Sequence, residues 1–310
     1  MKKIFISILT AVACVACGTK AEKQQPSVPN AQKVDFGSLD IYPMFETKHY
    51  QARDVMVWLP EGYDTSKKYA VLYMHDGQML FDKSTSWNKQ SWNVDSVAQA
   101  VQKDGRTRPF IVVGINNHPE YRLYDYMPRK ALDYIPKNDT LLAKYNLSHF
   151  GADNYLRFIV DELKPFIDKN YSTATGRENT FIVGSSMGGL ISMYALCEYP
   201  HIFGGAGCLS THSPLVITNA PAEVPVWSKA FRDYLSDHLP NTNTAFIYMD
   251  CGDRTLDANY IPLQREIDKL FKAKGWGNAH FQSKFFPGHA HDEASWESRL
   301  HIPLEFLIRK

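Results

Sequence analysis

Five short apolar runs constrain this chain more than any other feature. "AVLYMH", "FIVVGI", "TFIVGS", "GGAGCL" and "AFIYMD" each run without a polar break into turn residues. A strand with one wet face alternates apolar and polar residues, so unbroken runs of this kind mark strands covered on both faces. Between them lie stretches of helical pattern. "SWNVDSVAQAVQKDG" is one, and "NYLRFIVDELKPFIDKNY" carries Leu156, Ile159, Leu163, Phe166 and Ile167 at helical spacing. "MGGLISMYALCEYP" reads as an amphipathic helix, and "IPLQREIDKLFKAKG" and "ESRLHIPLEFLIRK" as two more helices. "RDVMVWLP" alternates like an outer strand and "HFQSKFFPG" reads as a last one. Covered strands alternating with helices require right-handed crossovers and a mostly parallel central sheet with helices on both faces. The class is α/β. No repeat or composition break divides the interior, and residues 212–240, rich in Pro and aromatics, are expected to cap a site between two strands.

The N-terminus follows other rules. Lys2 and Lys3 precede "IFISILTAVACVA", a run too short to cross a bilayer easily but suited to a secretory signal. Small residues then lead to Cys17, as in bacterial lipoprotein signals, although Cys14 stands where Leu is usual. The expectation is a signal over residues 1–16, a lipidated Cys17 with a flexible tether over 17–45, and a catalytic domain over 46–310. This implies export to the cell envelope and membrane contact only through the lipid. Cys197, Cys208 and Cys251 lie in or beside apolar runs and read as buried thiols, with one bridge left open. A formal net charge of +1 with no basic stripe gives nucleic-acid binding no support. No spaced Cys/His set points to a metal, and no motif points to a cofactor.

"GSSMGG" carries the chemistry. Gly184-Ser185-Ser186-Met187-Gly188 fits G-x-S-x-G with Ser186 central, between a covered strand and a helix. In that context the serine sits in a strained turn with its hydroxyl exposed at the carboxyl end of the sheet. A serine hydroxyl needs a base, and in this chain order an acid and then a histidine should follow. "GHAHDE" offers His289 and His291; His291 is taken as the base, with His289 lining the pocket. "MDCGDRTLDANY" offers Asp250, Asp253 and Asp257, among which spacing alone does not choose. An oxyanion hole needs the N–H after the nucleophile, at Met187, and a second from the loop after an early strand. "HDGQMLFD" supplies that loop, with Gly77 allowing close approach to substrate and Gln78 N–H as donor.

"YAVLYMHDGQMLFD", "DELKPFIDKNYSTATGRENTFIVGSSMGGLISMYAL", "MDCGDRTLDANY" and "PGHAHDEASWESRL" together resemble the esterase D-like ("putative esterase") family of α/β-hydrolases. That family includes feruloyl, acetylxylan and enterochelin esterases. The resemblance implies the α/β-hydrolase fold, Ser186 as nucleophile, His291 as base, and backbone donors at Gln78 and Met187. It implies Asp257 as the acid, through the match to "TLDA", with Asp253 in reserve. Met79 replaces a usual Asn, which alters the pocket but not a backbone donor.

The resulting expectation is a cofactor-independent serine carboxylesterase acting through an acyl-enzyme on esters that decorate carbohydrates. The alternatives are a siderophore trilactone esterase, an acyltransferase, and a catalytically silent glycan-binding lipoprotein. Asp76, Trp92, Arg122, His289 and Trp296 are the substrate-binding candidates, with Trp87, Tyr121 and Tyr124 as further aromatic platforms. The oligomeric state stays open.

Overall fold

The computed structural model describes residues 34–310 except 85, 141, 146 and 216–221. The expected signal and Cys17 lie outside the described residues. The chain builds one eight-stranded sheet from β1 (Ser38–Phe45), β2 (Arg53–Leu59), β3 (Ala70–His75), β4 (Phe110–Ile115), β5 (Thr180–Ser185), β6 (Gly205–Leu209), β7 (Phe246–Cys251) and β8 (Phe281–Phe285). The spatial order is β1-β2-β4-β3-β5-β6-β7-β8. β2 runs antiparallel to β1 and β4, while β4, β3 and β5 through β8 are mutually parallel. The strands of the five apolar runs lie inside the sheet, and β3, β4, β5 and β6 are buried along their whole length.

The helices are α1 (Val94–Lys103), α2 (Arg122–Tyr126), α3 (Ala152–Arg157), α4 (Lys164–Asn170), α5 (Met187–Glu198), α6 (Val224–His238), α7 (Ile261–Ala273), α8 (Glu293–Arg299) and α9 (His301–Leu307). They form two layers. Val71 and Tyr73 of β3 point into a core shared with α3, α5, α6 and α7, and the intervening Leu72 and Met74 point into a core shared with α1, α8 and α9. The alternation of side chains along a strand makes this division.

The structure corrects four expectations. The folded part includes residues 38–45, assigned above to the tether. They form edge strand β1, with Leu39, Tyr42 and Phe45 buried. Pro43 sits on this edge strand beside the register shift between Tyr42 and Phe45, where a missing backbone donor is tolerated. The long helix of residues 154–171 is not uniform. α3 passes into a π-helical turn over Phe158–Leu163 before α4, where Pro165 withholds a backbone donor and crowds the preceding turn. The helix after β5 is not amphipathic: α5 is buried from Met187 through Cys197, on every face. "ESRLHIPLEFLIRK" divides into two helices at Leu300. Residues 212–240 yield α6, which packs Trp227, Ala230, Phe231 and Tyr234 into the core. Cys197, Cys208 and Cys251 are free and buried. Burial, helped by Asp257 and Asp250, pushes the Cys251 thiol up to about 12.

Candidate active site

The carboxyl ends of β3, β5, β6, β7 and β8 carry the candidate residues. Ser186 follows β5 with φ 57° and ψ −121°, outside the regions an L-residue favours. Such strain persists only where the surroundings over-determine it. Here Ser186 N–H donates to the Leu209 carbonyl at 2.9 Å, and the Ser186 carbonyl accepts His212 N–H at 3.1 Å. The turn is thereby tied on one side to the end of β6 and on the other to the loop that follows it. Gly184 explains the first glycine of the motif: a Cβ there would lie 2.7 Å from the Gly188 backbone of α5. Ser186 is also the one residue between 181 and 190 that is half-buried rather than buried.

Asp257 and His291 meet. His291 Nδ1 lies 2.6 Å from Asp257 Oδ1. The second oxygen, Oδ2, accepts the Ser210 hydroxyl and Gly252 N–H, each at 2.6 Å. Burial alone raises the Asp257 pKa; the hydrogen bonds from His291, Ser210 and Gly252 outweigh it and hold the carboxyl below its ordinary value. Asp253, the reserve acid, is elsewhere. Its Oδ1 accepts Gly288 N–H at 2.7 Å, which ties the loop after β7 to the loop after β8. The same two loops are closed by Asp253 and Arg254 N–H donating to the His289 carbonyl and by His291 N–H donating to Thr255 Oγ1.

On the other side of Ser186, Asp76 follows β3 in the left-handed region at φ 55°. Its carboxylate receives a two-pronged bond from Arg122, Nε to Oδ1 and Nη2 to Oδ2, both at 2.8 Å, and a third from Asn117 Nδ2 at 2.6 Å. Burial pushes Asp76 up, and Arg122 and Asn117 bring it below the ordinary value. Asp76 and Arg122, expected as substrate contacts, thus engage each other and fix the turn that carries Gln78. Gly77 also has a different use from the one expected. A Cβ there would meet Asn116 at 2.6–2.9 Å, so its bareness serves the packing against β4. The Gln78 side chain accepts Asn117 N–H at 3.2 Å. Met187 opens α5, where an N–H has no acceptor within the helix.

Trp92 and Trp296 do not form platforms, being 3% and 4% exposed. Their rings pack on each other, and Trp296 also stands edge-on against the His291 imidazole at 5.0 Å between centroids. His289 packs on Phe286, with Nδ1 facing Arg299 Nη1 at 3.2 Å. Trp87 is 83% exposed.

Four residues escaped the sequence reading. Tyr260, buried at the start of α7, stands edge-on to His291 and places its hydroxyl 2.6 Å from His212 Nδ1. That hydroxyl also faces Ser186, a contact that offsets a little of the rise burial imposes on the phenol. Ser210 and Arg299 stand behind Asp257. A usable signal existed for two of the four: "STH" follows β6 directly, and strand ends on this edge of a parallel sheet are where sites form.

Comparison with known proteins gives the chain's family. The family model described as "Putative esterase" matches residues 48–305. The Bacillus subtilis (strain 168) protein described as "Uncharacterized protein YbbA" is 29% identical over 267 residues, which cover 83% of this chain and 93% of that protein. The endo-1,4-beta-xylanase/feruloyl esterase of Xylanibacter ruminicola is 24% identical over 294 residues. The match takes in 93% of this chain and 34% of that protein, so the chain spans about a third of its length. A solved ferulic acid esterase superposes with a TM-score of 0.63 at 20% identity, over 87% of this chain and 98% of its own. A motif serine on a strained strand-to-helix turn, a family match over most of the length and an eight-stranded, mostly parallel sheet lead to one conclusion: the chain belongs to the "Putative esterase" family and is a carboxylic ester hydrolase of the α/β-hydrolase fold.

Proposed function

We propose that the chain is a serine esterase that removes feruloyl or acetyl groups from carbohydrates through an acyl-enzyme. The observation that carries the mechanism is the 2.6 Å contact between His291 Nδ1 and Asp257 Oδ1. An ionised carboxylate accepts only, so Nδ1 carries the proton and Nε2 keeps a lone pair. Nε2 then takes the proton of Ser186 as its oxygen attacks the ester carbonyl. The imidazolium formed is stabilised by Asp257. The tetrahedral oxyanion is met by the backbone N–H groups of Met187 and Gln78. Collapse expels the alcohol, protonated by His291, and water releases the acid by the same steps in reverse. Each oxyanion donor supplies about 2.7–4 kcal/mol in comparable sites.

Two considerations favour a neutral carbohydrate ester. The names of the Xylanibacter ruminicola relative and of the solved neighbour both refer to ferulic esters. Arg122, a cation beside Ser186, is engaged by Asp76 and so is not free to hold an anionic ligand. A panel of feruloyl and acetyl oligosaccharides beside a catecholate trilactone tests this. Turnover of the sugar esters is expected, and preference for the trilactone would overturn the substrate assignment. Product analysis with added sugar acceptor should show free acid; a transferred acyl group would make the protein a transferase. Export and lipidation at Cys17 belong to the same proposal, and Cys17→Ser should move the protein from the membrane to the soluble fraction.

A further inference from the structure

Ser210 is small, buried and positioned behind the acid rather than in front of the substrate. It follows β6 with φ 41°, and its N–H is shared between the Asp250 carbonyl at 2.9 Å and Asp250 Oδ1 at 3.1 Å. Its hydroxyl has three partners. Trp296 Nε1 lies at 3.0 Å, Arg299 Nη2 at 2.9 Å and Asp257 Oδ2 at 2.6 Å. An indole N–H and a guanidinium can only donate, and an ionised carboxylate can only accept. The two donors fill both lone pairs of the hydroxyl, so its one proton is forced onto Asp257.

The donors are themselves fixed. Arg299 grips Asp250 through Nε to Oδ2 at 3.1 Å and Nη2 to Oδ1 at 3.0 Å, with both side chains essentially without solvent contact. Tyr248 adds a bond to Asp250 Oδ2 at 3.0 Å. Trp296 and Arg299 lie three residues apart on α8, the helix that follows His291 in the chain. The element that carries the base therefore also holds the acid, through Ser210.

We infer that Ser210 is a positioning residue for the ester hydrolysis: its hydroxyl, oriented by Trp296 and Arg299, fixes the Asp257 carboxylate so that Oδ1 stays on His291 Nδ1. This rests on the triad proposed above. A carboxylate held at Oδ1 by His291 and at Oδ2 by Ser210 and Gly252 has no freedom to rotate. Without the hydroxyl, Oδ2 keeps the Gly252 N–H and the charge of Arg299 Nη2 at 4.0 Å but loses its shortest oriented donor, and the imidazole loses part of its fixed orientation in the transition state.

A double-mutant cycle tests this. Ser210→Ala is expected to lower kcat about tenfold with KM within about twofold, the loss of one hydrogen bond to a charged group. Asp257→Asn should cost far more, and adding Ser210→Ala to it should cost almost nothing further, because Ser210 acts only through the carboxylate. Trp296→Phe, which keeps the ring against His291 and deletes the N–H, should give a smaller kcat loss that likewise disappears in the Asp257→Asn background. It serves if Ser210→Ala does not fold. Unchanged kcat in both single variants, or losses that simply multiply with that of Asp257→Asn, would overturn the inference. Full activity in Ser186→Ala would instead overturn the underlying triad, so the two failures are distinguishable.

Discussion

Two Arg–Asp pairs flank Ser186, and they behave in opposite ways. Asp76 and Arg122 stand on the β3 side with side chains 12% and 32% exposed, while Asp250 and Arg299 stand on the β7 side at 0% and 1%. Burial is the largest influence on both carboxyls and pushes both up. For Asp76 the bonds from Arg122 and Asn117 prevail and its pKa falls; for Asp250 burial prevails over Arg299 and it rises. The comparison separates two uses of one chemistry. The rim pair fixes the turn that carries Gln78, and the buried pair is a support whose loss leaves a charge in the protein interior.

The largest effect expected from breaking the β7 side is on catalysis. Asp257→Asn should lower kcat by about 10³–10⁴-fold in steady-state assays, since the imidazole loses its tautomer and orientation. Next, Arg299→Met leaves Asp250 buried and unpaired and should cost roughly 3–5 kcal/mol in denaturant unfolding. Arg122→Met removes the rim equivalent. It should cost about 1–2 kcal/mol of stability, because Asn117 still donates to the remaining carboxylate at 2.6 Å, yet lower kcat through a loosened Gln78 turn. An equal stability loss for the two arginine variants would remove the distinction.

Acid titration sharpens the same contrast. The folded pKa of Asp76 lies below the unfolded value of about 3.9, so its contribution is complete above that pH and is lost as pH falls through the depressed value. Asp250 has the opposite sign: the folded state holds its proton more tightly, so acidification through its raised pKa favours folding. Asp76→Asn should therefore flatten the decline of melting temperature below about pH 4. The smallest effect belongs to Asp253→Asn, which should keep kcat within about threefold, since that side chain ties a loop to Gly288 and does not touch His291.

The interior of the fold was legible because covered strands write unbroken apolar runs. β1 was not, since Pro43 and the exposed Met44 break its pattern at an edge. Neither was the all-round burial of α5, whose Gly and Ser positions imitate a polar face. At the site, Ser186 and His291 were legible from motif and chain order. Asp257 and Asp253 are four residues apart in one loop; spacing does not separate them, the resemblance favours Asp257, and the hydrogen bonds across to the β8 loop show how they differ. Ser210 and His212 share the loop after β6, whereas Tyr260 at the start of α7 and Arg299 on α8 reach them from distant parts of the chain, and no spacing in the sequence announces those bonds.

The central claim is that Ser186 is the nucleophile of an acyl-enzyme. Intact-mass analysis after exposure to a fluorophosphonate probe tests it most directly. One adduct is predicted, mapped to the peptide containing Ser186 and absent from Ser186→Ala. An unlabelled wild-type protein, or an adduct that survives Ser186→Ala, would contradict the account.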